Sequence, residues 1–123
     1  PINKKITAED VFNNIPTWVG LNSSSQSITG DGSTSTAIEI TSPVTEVNAT
    51  SAAAPCTLAD GANGQIKTII NVSTSGTNAV TITPSNLRGF TTATLNAPGE
   101  TVTLMFKNSN WNVIGTGGTV ALA

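Results

Sequence analysis

From residue 58 to residue 111 the chain repeats one pattern: a run of alternating apolar and polar residues, then a turn rich in Gly, Asn, Asp or Pro. The stretch reads LADGANGQIKTIINVSTSGTNAVTITPSNLRGFTTATLNAPGETVTLMFKNSNW. Alternation sends every second side chain to one side of the backbone, which fits a half-buried strand and not a helix. Val80 and Ile82 then face inward, as do Val102, Leu104 and Phe106, with Thr101, Thr103, Met105 and Lys107 opposite. Ile66, Ile70 and Val72 share a face with Thr68, while Ile69 falls on the other, so this strand is apolar on both sides. Upstream, a strand over 36–41 sets Ile38 and Ile40 against Glu39, Pro43 interrupts it, and Val47 points inward in a strand over 44–49. Residues 52–58 lack bulk and read as an extended edge; turns are expected at 30–32, 60–64, 84–89 and 109–110, and a last strand near 119–122. Short strands recurring at about 8–12 residues with turns between them predict an all-β fold, an antiparallel β-sandwich or small barrel.

The first 26 residues differ. Thr7 is a good N-cap, Glu9 and Asp10 lie in the first turn, and Pro16 ends the run, which predicts a helix over 8–14. Two turns of helix are marginal alone in water. Yet this arm carries Ile6, Val11, Phe12, Ile15, Trp18, Val19 and Leu21, and each large apolar side chain gains about 1.5–3 kcal/mol when buried. These are the candidate partner-binding residues, with Trp18 the foremost hot spot. The arm either folds back over a sheet edge or docks on another subunit. The NSSSQS stretch at 22–27 reads as a flexible tether, which a self-packed cover would not need, so docking is favoured. The expected organisation is an anchoring arm and linker at 1–26 followed by a β-domain at 27–123.

Composition excludes more than it indicates. Only 10% of residues are charged, the net charge is −2, and the basic residues Lys4, Lys5, Lys67, Arg88 and Lys107 are scattered after the first pair. Nucleic-acid binding needs clustered cations, so it is not expected. The chain has no His and no Tyr, which removes the commonest general acid–base and metal ligand. A lone Cys56 forms neither an intrachain disulfide nor a thiolate cage and is expected to be a small buried apolar residue. Glu39 and Glu46 would be neighbours on a hairpin about Pro43, the spacing a glycosidase pair would use, but no aromatic platform accompanies them; the carboxylates, Glu100 included, read as solvated. Asp60-Gly-Ala-Asn63-Gly lacks the further acids that calcium requires, so an Asx-type turn is expected there and at Asp31. Nucleophile elbows and phosphate loops are absent from the sequence. No catalytic residue, cofactor or metal is therefore expected, and an enzyme is not.

No apolar run is long enough to span a membrane. A chain beginning at Pro1 reads as the product of initiator-Met removal, which places synthesis in the cytoplasm. The sequons at Asn22, Asn48 and Asn71 read as unmodified. Trp111 shares its parity with Val113 and is expected in the core or at a subunit interface; Phe90, in the Arg88-Gly89-Phe90 turn, is expected to be exposed. Strands with so few charges leave edges poorly defended, and a symmetric oligomer would cover them.

Several of these segments resemble a β-rich module recurrent in tailed-bacteriophage structural proteins. The residues that carry it are Gly-Gln-Ile-Lys-Thr at 64–68, Thr-Pro-Ser-Asn-Leu at 83–87, Val-Thr-Leu-Met-Phe at 102–106 and Trp-Asn-Val-Ile-Gly at 111–115. The resemblance covers about half the chain. It implies a virion surface protein with threefold assembly, either a capsid decoration (cement) protein or a head-fibre domain, and it implies no catalytic or ligand residue. On that reading the chain sits on the outer surface of the capsid as a homotrimer, its arm bound to the major capsid protein and stabilising the shell. The alternative it leaves open is a fibre or receptor-binding module for host cell-surface glycans.

Overall fold

A computed structural model describes residues 7–8, 25–51, 53–74 and 78–123. The fold is all-β. The described residues form ten strands in order: β1 Gln26–Gly30, β2 Thr36–Ile38, β3 Val44–Ala49, β4 Ala54–Leu58, β5 Ile66–Asn71, β6 Val80–Pro84, β7 Ala93–Leu95, β8 Thr101–Lys107, β9 Asn110–Gly117 and β10 Ala121–Leu122. They form two five-stranded sheets, the first ordered β1-β3-β5-β8-β9 and the second β10-β7-β6-β4-β2.

The expected antiparallel pairing holds for only part of each sheet. β1 with β3, β3 with β5, β2 with β4 and β4 with β6 pair parallel, while β5–β8, β8–β9, β6–β7 and β7–β10 pair antiparallel. The reason is the route of the chain. From β1 to β6 it passes alternately from one sheet to the other, so strands joined in sequence do not pair. Parallel neighbours need a crossover, and here the crossover is itself a strand of the opposite sheet.

Two further expectations change. Residues 54–58 are a central strand of the second sheet, not an edge. Their small side chains suit that place, since Ala54 and Cys56 are buried. Pro55 is tolerated because the ladder to β2 begins only at the Thr36–Cys56 pair, so no partner carbonyl awaits its missing N–H. Second, Glu39 and Glu46 are not hairpin neighbours: Glu39 follows β2 in the second sheet and Glu46 lies in β3 of the first.

The β8–β9 hairpin is closed by Asn108 and Ser109, at φ 51° and 61°, between the paired residues Lys107 and Asn110. Both turn residues are left-handed, as a type I′ turn requires, and its twist matches that of the strands. The turn sits one residue earlier than expected.

One core joins the sheets. Ile28, Val47, Ile69, Val102, Leu104 and Phe106 of the first meet Cys56, Leu58, Val80, Ile82, Ala93 and Leu95 of the second. Trp111 is fully buried, as expected of a core position. Its ring meets Phe106 edge-on at 5.2 Å and 70°, and its Nε1–H donates to the Ala59 carbonyl at 2.9 Å, so the indole hydrogen stays paired.

Candidate assembly face

The site begins with β5, whose pattern is inverted. Lys67, Ile69 and Asn71 point into the protein, and Ile66, Thr68, Ile70 and Val72 point out. A slip of one residue would exchange the two sets. Register with β3 and β8 fixes the choice: Val44–Thr68–Thr103 and Glu46–Ile70–Thr101 lie side by side across the sheet, as do Ile66 and Met105.

Hydrogen bonds satisfy the polar groups this inversion buries. Lys67 is fully buried, and its Nζ donates to the carbonyls of Glu39 at 2.7 Å and Ser42 at 2.5 Å. Burial lowers its ammonium from 10.5 to about 8, against the opposing pull of the Glu39 carboxylate. Gln65 Nε2 donates to the Ile40 carbonyl, so Gln65, just before β5, and Lys67 within it together hold the loop between β2 and β3. Asn71, also fully buried, donates through Nδ2 to the carbonyls of Asn78 and Leu95. Its Oδ1 accepts from the Ser73 N–H and hydroxyl, leaving no side-chain group for modification at that sequon.

Outward, the inversion makes an apolar surface. Ile66 is 48% exposed and Val72 37%. A bulge between Thr103 and Leu104 pairs those residues with Gly115 and Val113, leaving Ile114 without a partner. A bulge re-aims the residue it inserts: Val113 packs against the core, and Ile114 stands 51% exposed. Half-buried Val44, Ile70 and Met105 lie on the same face. The outer face of the second sheet carries Ala37, Pro55, Thr57, Thr81, Thr83, Thr94 and Ala121, with no aliphatic side chain of Val size or larger among them.

Other expected features fall elsewhere. Cys56 is buried in β4, where desolvation pushes its thiol up to about 11. Asp31 forms the expected Asx turn, accepting from the Ser33 N–H at 2.9 Å and hydroxyl at 2.6 Å, bonds that lower its carboxyl. Asp60 does not cap its own turn; it accepts from Asn86 Nδ2 at 2.9 Å. Glu100 is no solvated acid. It is buried and accepts from the Thr119 hydroxyl at 2.8 Å, the Thr119 N–H at 2.9 Å and the Asn96 N–H at 2.5 Å. The Thr119 hydroxyl leads in holding its carboxyl below the usual range. Phe90 is 41% exposed, as expected. Among the described residues, no cluster of His, Cys, Asp or Glu is placed to hold a metal, and no helix is long and apolar enough to cross a membrane.

Of residues 1–21, only 7 and 8 are described. The helix expected over 8–14, apart from Ala8, and the candidate binding residues Ile6, Val11, Phe12, Ile15, Trp18, Val19 and Leu21 lie outside the described residues. The outer face was not among the candidate site residues. Its signal was present in the adjacent apolar pair Ile69 and Ile70, which puts one isoleucine on each side of β5. No protein-family model matches the chain, and no curated protein does either.

Proposed function

We propose that this chain is a structural virion protein, a capsid decoration protein that forms a homotrimer and binds the major capsid protein through its N-terminal arm. The two sheets form a β-sandwich that stands out from the shell, and the outer face of the first sheet makes the subunit contact. The observation that carries this reading is the inversion of β5: lysine and asparagine are buried while Ile66 and Val72 remain exposed. Apolar side chains gathered on one sheet face, opposite a sheet covered in threonine, mark a surface that another protein covers. Three arms held by one trimer add weak contacts on the shell through avidity.

The glycan-binding alternative has less support. Among the described residues Phe90 offers one exposed ring, while Phe106 and Trp111 are inside the core.

Two measurements test the proposal. Sedimentation equilibrium should give a mass three times that of the 12.5 kDa chain; a monodisperse monomer at micromolar concentration overturns the trimer. Deleting residues 1–21 should leave a folded trimer that no longer binds shells made of the capsid protein from the same phage. Full occupancy by the truncated chain overturns the anchor.

A further inference from the structure

The two sheets end in four edge strands, β1 and β9 in the first and β10 and β2 in the second, and three are guarded. Along β9, the Trp111 N–H donates to the Asn86 carbonyl and the Arg88 N–H to the Trp111 carbonyl. The bulge opposite Thr103 then bends the strand. β10 has two residues. β2 has three, and the Gln26 side chain bonds beside it, donating from Nε2 to the Ala37 carbonyl at 3.2 Å and accepting through Oε1 from the Glu39 N–H at 2.9 Å. Short edges, bulges and side-chain covers are the usual protections against stray pairing.

Among the described residues, β1 has none of them. Its five residues, QSITG, include no charge and no proline. The Thr50 N–H donates to the Gly30 carbonyl at 2.9 Å. In a parallel ladder, this fixes Gln26, Ile28 and Gly30 as the residues whose backbone groups face β3. The N–H and C=O groups of Ser27 and Thr29 therefore point away from the sheet, and both residues are exposed. At the end of β1, Thr29, Gly30, Asp31, Thr34, Thr36 and Thr50 line an open depression of about 350 Å³.

We infer that β1 is a strand-acceptor site for an extended segment of the shell subunit to which the arm binds. The segment carries small or hydroxyl side chains for the threonine-lined depression and a basic residue for exposed Asp31. This inference rests on the decoration reading above. Under that reading, distance supplies the occupant: from Leu21, the last apolar residue of the arm, five residues lead to Gln26 and span at most about 18 Å. An arm lying on the shell holds β1 within reach of it. A strand added there pairs with four backbone groups and extends the first sheet at the strand that follows the arm in sequence.

The test uses the full chain and empty shells assembled from the major capsid protein of the same phage. Ser27→Pro removes an outward N–H and costs no ladder bond; Thr29→Lys places a guarding charge on the same edge. Each should weaken shell binding at least tenfold, measured at a chain concentration where sedimentation still gives the wild-type mass, because both side chains lie on the outer face of the first sheet. Thr29→Lys carries the test if Ser27→Pro does not fold. In hydrogen exchange, the Ser27 and Thr29 amides should exchange fast in the free protein and slowly on the shell. Binding within twofold of wild type by both variants overturns the inference while leaving the decoration reading intact. Slow exchange of both amides in the free protein also overturns it, because the edge is then covered by this chain or a second copy. Failure of the wild-type protein to bind shells overturns the decoration reading and the inference with it.

Discussion

The two sheets share an apolar core but distribute their polar residues differently. The second is apolar within, through Ala54, Cys56, Leu58, Val80, Ile82, Ala93 and Leu95, and mostly threonine without. The first buries Thr45, Lys67 and Asn71 and displays Ile66, Val72 and Ile114. The second sheet is thus complete in one chain, with its hydrophobic side covered and its polar side wet. The first has spent two core positions of β5 on polar groups and left aliphatic ones outside. The difference teaches that core formation alone does not account for β5. Its outward face calls for a separate use, and self-association is the use we propose for it.

The largest effect expected comes from exchanging the two faces. Ile66→Lys with Ile114→Lys should dissociate the trimer. Two isoleucines, each worth about 1.5–3 kcal/mol on burial, amount to a loss of association constant on the order of a hundredfold or more. The matched pair on the other sheet, Thr57→Lys with Thr83→Lys, should leave the mass unchanged, since both threonines are exposed. Sedimentation equilibrium reads both. Equal dissociation by the two pairs would erase the contrast between the faces, and no dissociation by either would move the contact elsewhere.

A smaller effect tests the inner faces, with pH as the probe. Lys67 titrates near 8 in the folded protein, below its ordinary 10.5, so between those values the unfolded chain holds a proton that the folded one has lost. Stability therefore rises as pH increases from about 8 to 10.5, by on the order of 3 kcal/mol at about 1.4 kcal/mol per pH unit. Cys56, in the second sheet, acts in the opposite sense. Its thiol is raised from 9.0 to about 11 by burial, so the unfolded chain ionises first and stability falls as pH rises through that window. The wild-type urea midpoint should rise from about pH 8 to 9, where Lys67 acts alone, stay nearly level while the two effects oppose each other, and fall above about 10.5, where Cys56 acts alone. Cys56→Ala should expose the rise due to Lys67, and Lys67→Met the fall due to Cys56. A flat profile in Cys56→Ala would mean that Lys67 is not desolvated as its burial requires.

The sequence made the strands and most inward positions legible, and the reasons it missed others are physical. Alternation at Val80 and Ile82 or at Val102, Leu104 and Phe106 leaves one consistent choice of face, and the core follows it. Alternation says nothing about the direction of a partner. A loop such as 39–43 reads equally well as a hairpin or as a passage between sheets, so the parallel half of the fold and the separation of Glu39 from Glu46 were not readable. β5 offers apolar residues on both faces, and its orientation is decided by acceptors distant in sequence: the Glu39 and Ser42 carbonyls for Lys67, and Leu95 for Asn71. Glu100 was misjudged for the same reason, since its donors include Thr119 in the loop before β10. Sparse charge and the Ile69–Ile70 pair did point to a covered surface. The larger apolar side chains Phe12 and Trp18 give the arm the stronger sequence signal for a partner site, and both lie outside the described residues.

The smallest predicted effect separates stability of the chain from adhesion of its face. Ser109 occupies a left-handed position at φ 61° in the β8–β9 turn, where a side chain is strained and glycine is not. Ser109→Gly converts the turn to Asn-Gly, the pair best suited to type I′. Relief of strain in the folded state should outweigh the greater freedom glycine gives the unfolded chain. The expected gain is about 0.5 kcal/mol, read as a higher urea midpoint with an unchanged slope. The hairpin carries Met105 on β8 and Ile114 on β9, yet the substitution alters neither side chain nor the bulge that exposes Ile114. The trimer association constant should therefore stay the same when measured well below the midpoint. A parallel rise in association would mean that the face is assembled only as the hairpin tightens, and that the contrast between the two sheets is one of order as well as of polarity.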